Sequence, residues 1–187
     1  MNRMPWIKRT WGHLSTISQH KLRVMFLCFK MGLIRQGLLH DLSKYSPVEF
    51  CAGVKYYQGY RSPIEAEKED LGYSNGWLHH KGHNRHHWEY WIDRSRDGRQ
   101  LICYPIPKQY IAEMVCDRIA ACQTYQKEKY TDHSALDYLL KGSDLTFMEE
   151  KSGQLLKTYL QWVSTEGIDK AFEKIRKDLK EDRKSRN

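Results

Sequence analysis

The sequence predicts a single compact all-α domain, and three observations lead to this prediction. Apolar residues recur at three- and four-residue steps through most of the chain, as they do on the buried face of a helix. No stretch alternates apolar and polar residues over the length of a strand. The chain has 187 residues, of which 40% are hydrophobic, and this length suits one domain with its own core.

Helices in the N-terminal half are predicted from apolar spacing and from start and stop signals. The first helix carries His20 on its apolar face, and Gly32 is expected to end it. Two matched Ser-Pro-x-Glu sequences begin at Ser46 and Ser62, and each has the arrangement of a capping box with proline in the first helical position. Glu49 is assigned to this cap rather than to chemistry. The predicted helices are roughly 14–31, 33–43, 47–57 and 63–70.

A loop is predicted over residues 93–107, which hold two prolines and a glycine and show no helical spacing. A loop of this length inside a compact domain often covers a functional site. Apolar spacing returns after it and indicates a long helix followed by three more. These predicted helices are roughly 108–129, 133–141, 145–163 and 167–182.

Cysteine usage and hydropathy exclude several classes of protein. The five cysteines include no closely spaced CxxC pair, so neither a disulfide framework nor a thiolate zinc site is expected. No apolar run is long enough to span a bilayer. The first segment, MNRMPWIKRTWGH, lacks the apolar core of a secretory signal. We therefore expect a cytoplasmic protein that does not insert into a membrane.

The net charge of +8 is concentrated at the two ends of the chain. Residues 1–9 hold Arg3, Lys8 and Arg9 and no acidic residue, and residues 173–187 also carry an excess of lysine and arginine. Basic ends of this kind favour solvated tails over a designed nucleic-acid-binding face. A nucleic-acid partner is therefore not favoured, although some attraction for anions is expected.

Five of the nine histidines lie in one short segment, LHHKGHNRHHWEYW. A glycine and an asparagine inside this segment indicate a break between two helices. We therefore expect His80 to end one helix and His86 or His87 to begin the next. The cluster could hold a metal ion, or it could bind a phosphate or a proton without one. The five histidines are His79, His80, His83, His86 and His87.

Polar residues in apolar helical surroundings point to metal chemistry. His20 lies on the apolar face of the first helix, where an unpaired imidazole would be costly. Asp117 stands in the apolar run MVCDRIAA, and a buried carboxylate also needs a partner. Imidazole nitrogens and carboxylate oxygens together suit ions such as Mn, Fe or Zn. The adjacent residues His40 and Asp41 lie between His20 and Asp117 in the sequence. Together the four residues favour a metal site over an anion site.

The residues in this order, H…HD…H…H…D, resemble the pattern of the HD-domain superfamily, all-helical metal-dependent proteins that are mostly phosphohydrolases. The segment GLLHDLSKYS is similar to the central helix of that superfamily. The blocks HDLSKYSPVEF and WLHHKGHNRHHWEYW together look like a bacterial and phage-borne branch of it. The resemblance implies one HD-like domain over residues 1–187, with its core at about 14–130 and C-terminal helices over 131–182.

The resemblance also implies two divalent metal ions, with Mn, Fe, Zn, Co, Ni and Mg as the candidates. The first ion would be held by His20, His40, Asp41 and Asp117. The second ion would share Asp41 and take its other ligands from His80, His86 and His87. Many HD proteins space the corresponding histidines further apart, so the choice among the cluster histidines stays open.

The activity that the resemblance implies is hydrolysis of a nucleotide or another small phosphate ester. Two ions would polarise the phosphoryl group and activate a water molecule. Lys44 lies about one helical turn beyond His40 and would stabilise charge on the phosphoryl oxygens. Lys81 and Arg85 interleave with the histidines and would either orient an anionic substrate or solvate the segment.

Two other functions fit the same residues. Some relatives of the HD fold use a mixed-valence di-iron centre to cleave C–C or C–P bonds with oxygen, and the same ligand set supports that chemistry. The third hypothesis is a non-catalytic binding module in which metal only stabilises the fold. Iron with a radical-type spin signal would indicate the oxygenase, and a steep fall of nucleic-acid affinity with salt would indicate the binding module.

Overall fold

The computed structural model describes residues 4–185 and confirms the all-α class. Within those residues the chain forms ten α-helices, three 3-10 turns and one two-stranded sheet. The helices are α1 (Trp6–Lys30), α2 (Ile34–Leu39), α3 (Pro47–Tyr56), α4 (Pro63–Leu71), α5 (Asn75–His83), α6 (Lys108–Gln126), α7 (Ser134–Lys141), α8 (Asp144–Phe147), α9 (Glu150–Glu166) and α10 (Ile168–Ser185). The 3-10 turns are Leu42–Tyr45, Trp88–Trp91 and Lys127–Lys129, and the strands are β1 (Ile92–Arg94) and β2 (Leu101–Cys103).

Helix α6 lies at the centre of the fold and packs against α1, α7 and α9. Its apolar side is fully covered, since Val115 and Ile119 have no exposed surface and belong to a core shared with those helices. Burial of apolar area stabilises such packing by about 25 cal/mol per Å². The packing fixes α6, which carries Glu113 and Asp117 one helical turn apart on the same face.

The backbone leaves the helical conformation directly after α2, so the predicted helix over 33–43 is wrong at its C-terminal end. α2 ends at Leu39, His40 has φ −50° and ψ 127°, and Asp41 lies in the left-handed region with φ 54°. That region is uncommon for a residue with a Cβ, although aspartate tolerates it better than most. The turn brings the side chains of His40 and Asp41 to one buried site instead of separating them around a helix.

Two other helix boundaries differ from the prediction. α1 begins at Trp6, well before residue 14. The helix predicted over 145–163 is interrupted after α8, and Glu149 begins α9 by accepting hydrogen bonds from the backbone N–H groups of Lys151 and Ser152. The other predicted helices are confirmed, with small shifts at their ends.

A β-hairpin lies inside the segment that was predicted as a loop. Strands β1 and β2 pair antiparallel, with Ile92 opposite Cys103. An Asp-Gly pair lies in the connecting turn, where Gly98 adopts a φ of 70° without steric penalty. Each strand has only three residues, too few to show an alternating pattern, so the loop prediction over 93–107 was wrong for these strands.

The basic ends are helical in the part of the chain that the structure describes. α10 packs against α9 and buries Phe172 and Ile175. The two ends are therefore helical rather than extended, while most of their lysines and arginines are exposed to solvent. Arg3 and residues 186–187 lie outside the described residues. All five cysteines are free, as expected. No helix within residues 4–185 combines the length and the apolar character needed to cross a membrane.

Candidate metal centre

The seven side chains predicted as metal ligands come together in two clusters that share Asp41. Within each cluster the ligand atoms all lie within 4.8 Å of one another. The ligands come from α1, the turn after α2, α5, the segment after α5, and α6, so the site joins elements that are far apart in the sequence. These clusters could hold metal ions. The first cluster is His20, His40, Asp41 and Asp117, and the second is Asp41, His80, His86 and His87.

In the first cluster, imidazole nitrogens converge on one oxygen each of Asp41 and Asp117. His20 Nε2 lies 2.9 Å from Asp117 Oδ1 and 3.7 Å from Asp41 Oδ2. His40 Nε2 lies 3.3 Å from Asp41 Oδ2 and 3.6 Å from Asp117 Oδ1. Two imidazoles and two carboxylates form a mixed nitrogen and oxygen donor set that suits Mn, Fe or Zn.

The second cluster forms around the other oxygen of Asp41. His80 Nε2 and His86 Nε2 each lie 3.4 Å from Asp41 Oδ1. Nε2 of His87 lies 2.9 Å from Nε2 of His80. Since the two oxygens of one carboxylate face different clusters, Asp41 is placed where it could bridge two ions.

The predicted break in the histidine segment follows α5, but no α-helix begins at His86 or His87, since His87 is followed by the 3-10 turn Trp88–Trp91. α5 ends just before Asn84, whose backbone is extended. The Asn84 amide donates hydrogen bonds to the carbonyl oxygen of His80 and to Ser43 Oγ, which ties the break to the 3-10 turn after α2. His80 therefore lies on α5, whereas His86 and His87 follow the break and approach the site from another direction.

Several ligand atoms are buried without a hydrogen-bond partner. Among the described residues, these include His40 Nε2, His86 Nε2 and both carboxylate oxygens of Asp41. Asp41 Oδ2 has an ion contact instead, with Lys44 Nζ at 2.6 Å. Each unsatisfied buried polar atom costs about 1–3 kcal/mol, and charged groups cost more. Divalent ions between these atoms would remove that cost, so the residues present fit a metal centre.

Two buried carboxylates that were not predicted as site residues contact the Nδ1 atoms of the predicted histidine ligands. Glu113 Oε1 lies 2.9 Å from His40 Nδ1 and 3.2 Å from His86 Nδ1. Glu49 Oε2 lies 2.8 Å from His80 Nδ1. Such contacts keep the hydrogen on Nδ1 and leave Nε2 free to bind a metal ion.

Sequence spacing contained a signal for both carboxylates. Glu113 stands four residues before Asp117 in an apolar helix, so the two share a face, and the same argument that singled out Asp117 applies to it. Ser46 Oγ accepts a hydrogen bond from the backbone N–H of Glu49, which confirms the cap. The cap uses only the backbone of Glu49, however, and its side chain is free to turn into the site.

Electrostatics keep the acids of the site ionised. Burial opposes a charge on Asp41, but the attraction of His40 and Lys44 outweighs it and holds the pKa of Asp41 well below its usual value. The pKa of Asp117 is also held well below its usual value by neighbouring histidines, although burial opposes this. Burial opposes a charge on His40 too, yet the surrounding carboxylates raise its pKa well above the usual value. Burial and adjacent imidazoles lower the pKa of His87. Because a histidine that binds a metal ion must be deprotonated, metal binding would compete with protonation more at His40 than at His87.

A cavity of about 650 Å³ opens beside both clusters. Its wall includes five of the predicted ligands and four cationic side chains. Lys81, Arg85 and the hairpin are not among the described residues that line it, and Arg85 donates a hydrogen bond to the hydroxyl of Tyr110. Contact of Lys81 or Arg85 with a substrate, and coverage of the site by the loop, therefore gain no support from this geometry. The cations on the wall are Lys44, Arg61, Lys68 and Arg118.

Comparison of the chain with curated proteins and with solved structures gave no match. A family model described as "Family of unknown function (DUF5662)" matches residues 9–161, which is more than half of the chain. The matched region contains all seven predicted ligands, Lys44 and both outer carboxylates. The chain therefore belongs to the family of unknown function DUF5662.

Proposed function

We propose that the chain is a two-metal phosphohydrolase of the HD-domain type that acts on a small phosphate ester, with nucleotides among the candidates. The observation that carries the proposal is the position of Asp41, whose two oxygens face one cluster each. Paired ions about 3.5–4 Å apart are the usual arrangement for in-line displacement at phosphorus. The cavity beside both clusters gives a substrate access to the same place.

The residues of the chain have separate tasks in this proposal. When bound, the ions would supply Lewis-acid polarisation of the phosphoryl group and an activated water molecule. Asp41 fixes the position of one cluster relative to the other, while Glu49 and Glu113 orient the histidine ligands. Lys44 lies on the cavity wall, and although burial opposes its charge, Asp41 and Asp117 raise its pKa. It stays cationic and would stabilise charge on the phosphoryl oxygens.

The charges around the cavity favour a substrate with a single phosphoryl group. The three cations on the cavity wall other than Lys44 are each paired with a carboxylate. Little positive charge is therefore left to bind further phosphates. A triphosphate carries more negative charge than the metal centre and Lys44 would neutralise. Trp77 and Trp88 on the same wall offer apolar surface to the rest of an ester. The ion pairs are Arg61–Glu69, Lys68–Glu65 and Arg118–Asp144.

The test of this proposal is a hydrolysis panel with protein loaded with Mn²⁺. The panel compares p-nitrophenyl phosphate, nucleoside monophosphates and nucleoside triphosphates, with released phosphate as the readout. We expect the monoesters to be hydrolysed faster than the triphosphates. Protein that holds two ions and hydrolyses none of these esters would contradict the proposal.

Replacing Lys44 by alanine should lower turnover and leave the fold intact. The variant loses the cation that stabilises the phosphoryl oxygens, so kcat for a monoester should fall by about 10²–10³. Metal content should stay at the wild-type level, because no ligand is removed. Lys30→Ala is the matched control, since Lys30 is exposed and pairs with Asp169 on the surface. Normal kcat with a much lower melting temperature would show that Lys44 is structural.

Only some histidines of the cluster should bind a metal ion. His80→Ala and His87→Ala should each lower the metal content from about two ions per chain toward one, because each removes a nitrogen from the second cluster. His79→Ala and His83→Ala should keep the full content, since these two rings stack on each other at 4.0 Å and belong to neither cluster. If all four variants keep two ions by elemental analysis, the segment is an anion-binding loop instead.

A further inference from the structure

Glu113 contacts one predicted ligand from each cluster through the same oxygen. Its Oε1 lies 2.9 Å from Nδ1 of His40, in the first cluster, and 3.2 Å from Nδ1 of His86, in the second. The two imidazole rings lie side by side, with centroids 4.3 Å apart. Glu113 is only 5% exposed, and α6 holds it one turn before Asp117. One buried oxygen thus orients two ligands that would serve different ions.

We propose that Glu113 is a positioning residue that couples metal binding at the two clusters. The inference rests on the two-metal centre of the proposed function, and it adds that the two ions bind cooperatively. Asp41 links the clusters from the inside, through the atoms that would contact the ions. Glu113 links them from the outside, through the nitrogens on the far side of the ligand rings.

The coupling follows from the hydrogens that the ligands must carry. An ion on His40 Nε2 requires the hydrogen on Nδ1, and Glu113 accepts that hydrogen bond best as a carboxylate. Because the same Glu113 oxygen lies against Nδ1 of His86, fixing it on His40 also favours that tautomer and ring orientation in His86, with Nε2 free. The first ion therefore reduces the ordering cost of the second, and by linkage the second favours the first by the same factor.

A metal ion bound directly by Glu113 is the competing interpretation, because Glu113, His40 and His86 also form a third group of potential ligands. Nδ1 of His40 is already hydrogen-bonded to Glu113, and Nδ1 of His86 is in ion-pair contact with the same oxygen. Among the described residues, the buried atoms without a hydrogen-bond partner include Nε2 of both histidines and Oδ1 of Asp41, which lie on the inner side. The need for a cation is therefore on the side of Asp41, and the outer carboxylate role is favoured.

Glu49 gives an internal comparison, because it contacts a ligand of the second cluster only. Its Oε2 lies 2.8 Å from His80 Nδ1, while its Oε1 lies 2.6 Å from His79 Nδ1, which belongs to neither cluster. Its side chain is about as buried as that of Glu113. The two glutamates thus share chemistry and burial and differ in whether they contact one cluster or both.

The test is a Mn²⁺ titration of the full chain in three forms: wild type, Glu113→Gln and Glu49→Gln. Free Mn²⁺ is followed by electron paramagnetic resonance, so the readout does not depend on activity. Glutamine keeps the size of the side chain but removes the negative charge that faces the Nδ1 atoms of the histidine ligands. For Glu113→Gln we expect both binding steps to weaken about 10–100-fold. Glu49→Gln should weaken one step by a similar factor and leave the other unchanged.

Three results would overturn the coupling. Glu113→Gln could weaken only one step or neither, wild-type protein could bind its ions without cooperativity, or a third ion could be lost with the Glu113 carboxylate. The melting temperature of the metal-free proteins checks that the variants fold. Should Glu113→Gln fold poorly, Glu113→Asp keeps the charge but shortens its reach, and it must weaken both steps for the proposal to stand.

The coupling and the proposed reaction can fail separately. Cooperative Mn²⁺ binding that depends on Glu113, without hydrolysis of any phosphate ester, would reject the phosphohydrolase and keep the coupling. An active phosphohydrolase in which Glu113→Gln affects a single step would reject the coupling and keep the reaction. Wild-type protein that binds no Mn²⁺ would overturn both.

Discussion

Replacing Asp41 by alanine is expected to remove both metal ions and abolish hydrolysis. Asp41 is the residue that the two clusters share, and it is 2% exposed, so water cannot easily take its place. Metal content should fall from about two ions per chain to fewer than one. Monoester turnover should fall by about 10³-fold or more, which corresponds to about 4 kcal/mol of lost transition-state stabilisation. Elemental analysis and phosphate release measure the two effects.

Two controls separate loss of the carboxylate from damage to the fold. Asp41→Gly suits the left-handed backbone at this position, so it should lose metal as Asp41→Ala does while avoiding the strain of a Cβ. Asp169→Ala removes a surface carboxylate that pairs with Lys30, and it should keep metal and turnover. If Asp41→Gly folds and keeps two ions, Asp41 does not bridge a metal centre.

Removing metal with a chelator should lower the melting temperature of the wild-type protein on the order of 10 °C. An ion that binds only the folded state at 100 to 1,000 times its Kd stabilises it by about 3–4 kcal/mol. For a chain of this length each kcal/mol shifts the melting temperature by about 2–4 °C. Thermal unfolding with and without EDTA measures the shift, and added Mn²⁺ should restore the original value.

The Asp41→Ala protein provides the matching comparison for the chelator experiment. Because it should hold no ions, EDTA should leave its melting temperature unchanged. A wild-type melting temperature that is insensitive to EDTA, in protein shown to have lost its metal, would mean that the clusters do not depend on ions for stability. The buried Asp41 would then be held by its contacts with Lys44 and with the surrounding histidines.

The helical class was accessible from local signals in the sequence, whereas the full set of seven ligands came from the resemblance to the HD-domain superfamily. Apolar spacing places His20 and Asp117 on buried helix faces, where polar residues need partners. The break after α5 was predicted from a glycine and an asparagine, and the structure confirms it. The structure also brings the seven predicted ligands together, while their binding of metal stays a prediction.

The conformation of Asp41 was not accessible, because its left-handed backbone is set by tertiary contacts rather than by residue type. A helix through His40 and Asp41 was the better expectation from sequence, since only glycine signals such a turn clearly. The roles of Glu49 and Glu113 depend on the same long-range packing, which brings α3, α5 and α6 around the site. The hairpin was missed for a simpler reason, since strands of three residues show no period.

Anomalous X-ray scattering from crystals of the Mn²⁺-loaded wild-type protein would locate the bound ions directly. A two-metal centre predicts two anomalous peaks about 3.5–4 Å apart, one on each side of the Asp41 carboxylate. The first peak should contact His20, His40 and Asp117, and the second should contact His80, His86 and His87. Peaks elsewhere, or a single peak that leaves one oxygen of Asp41 without a metal ion, would contradict it.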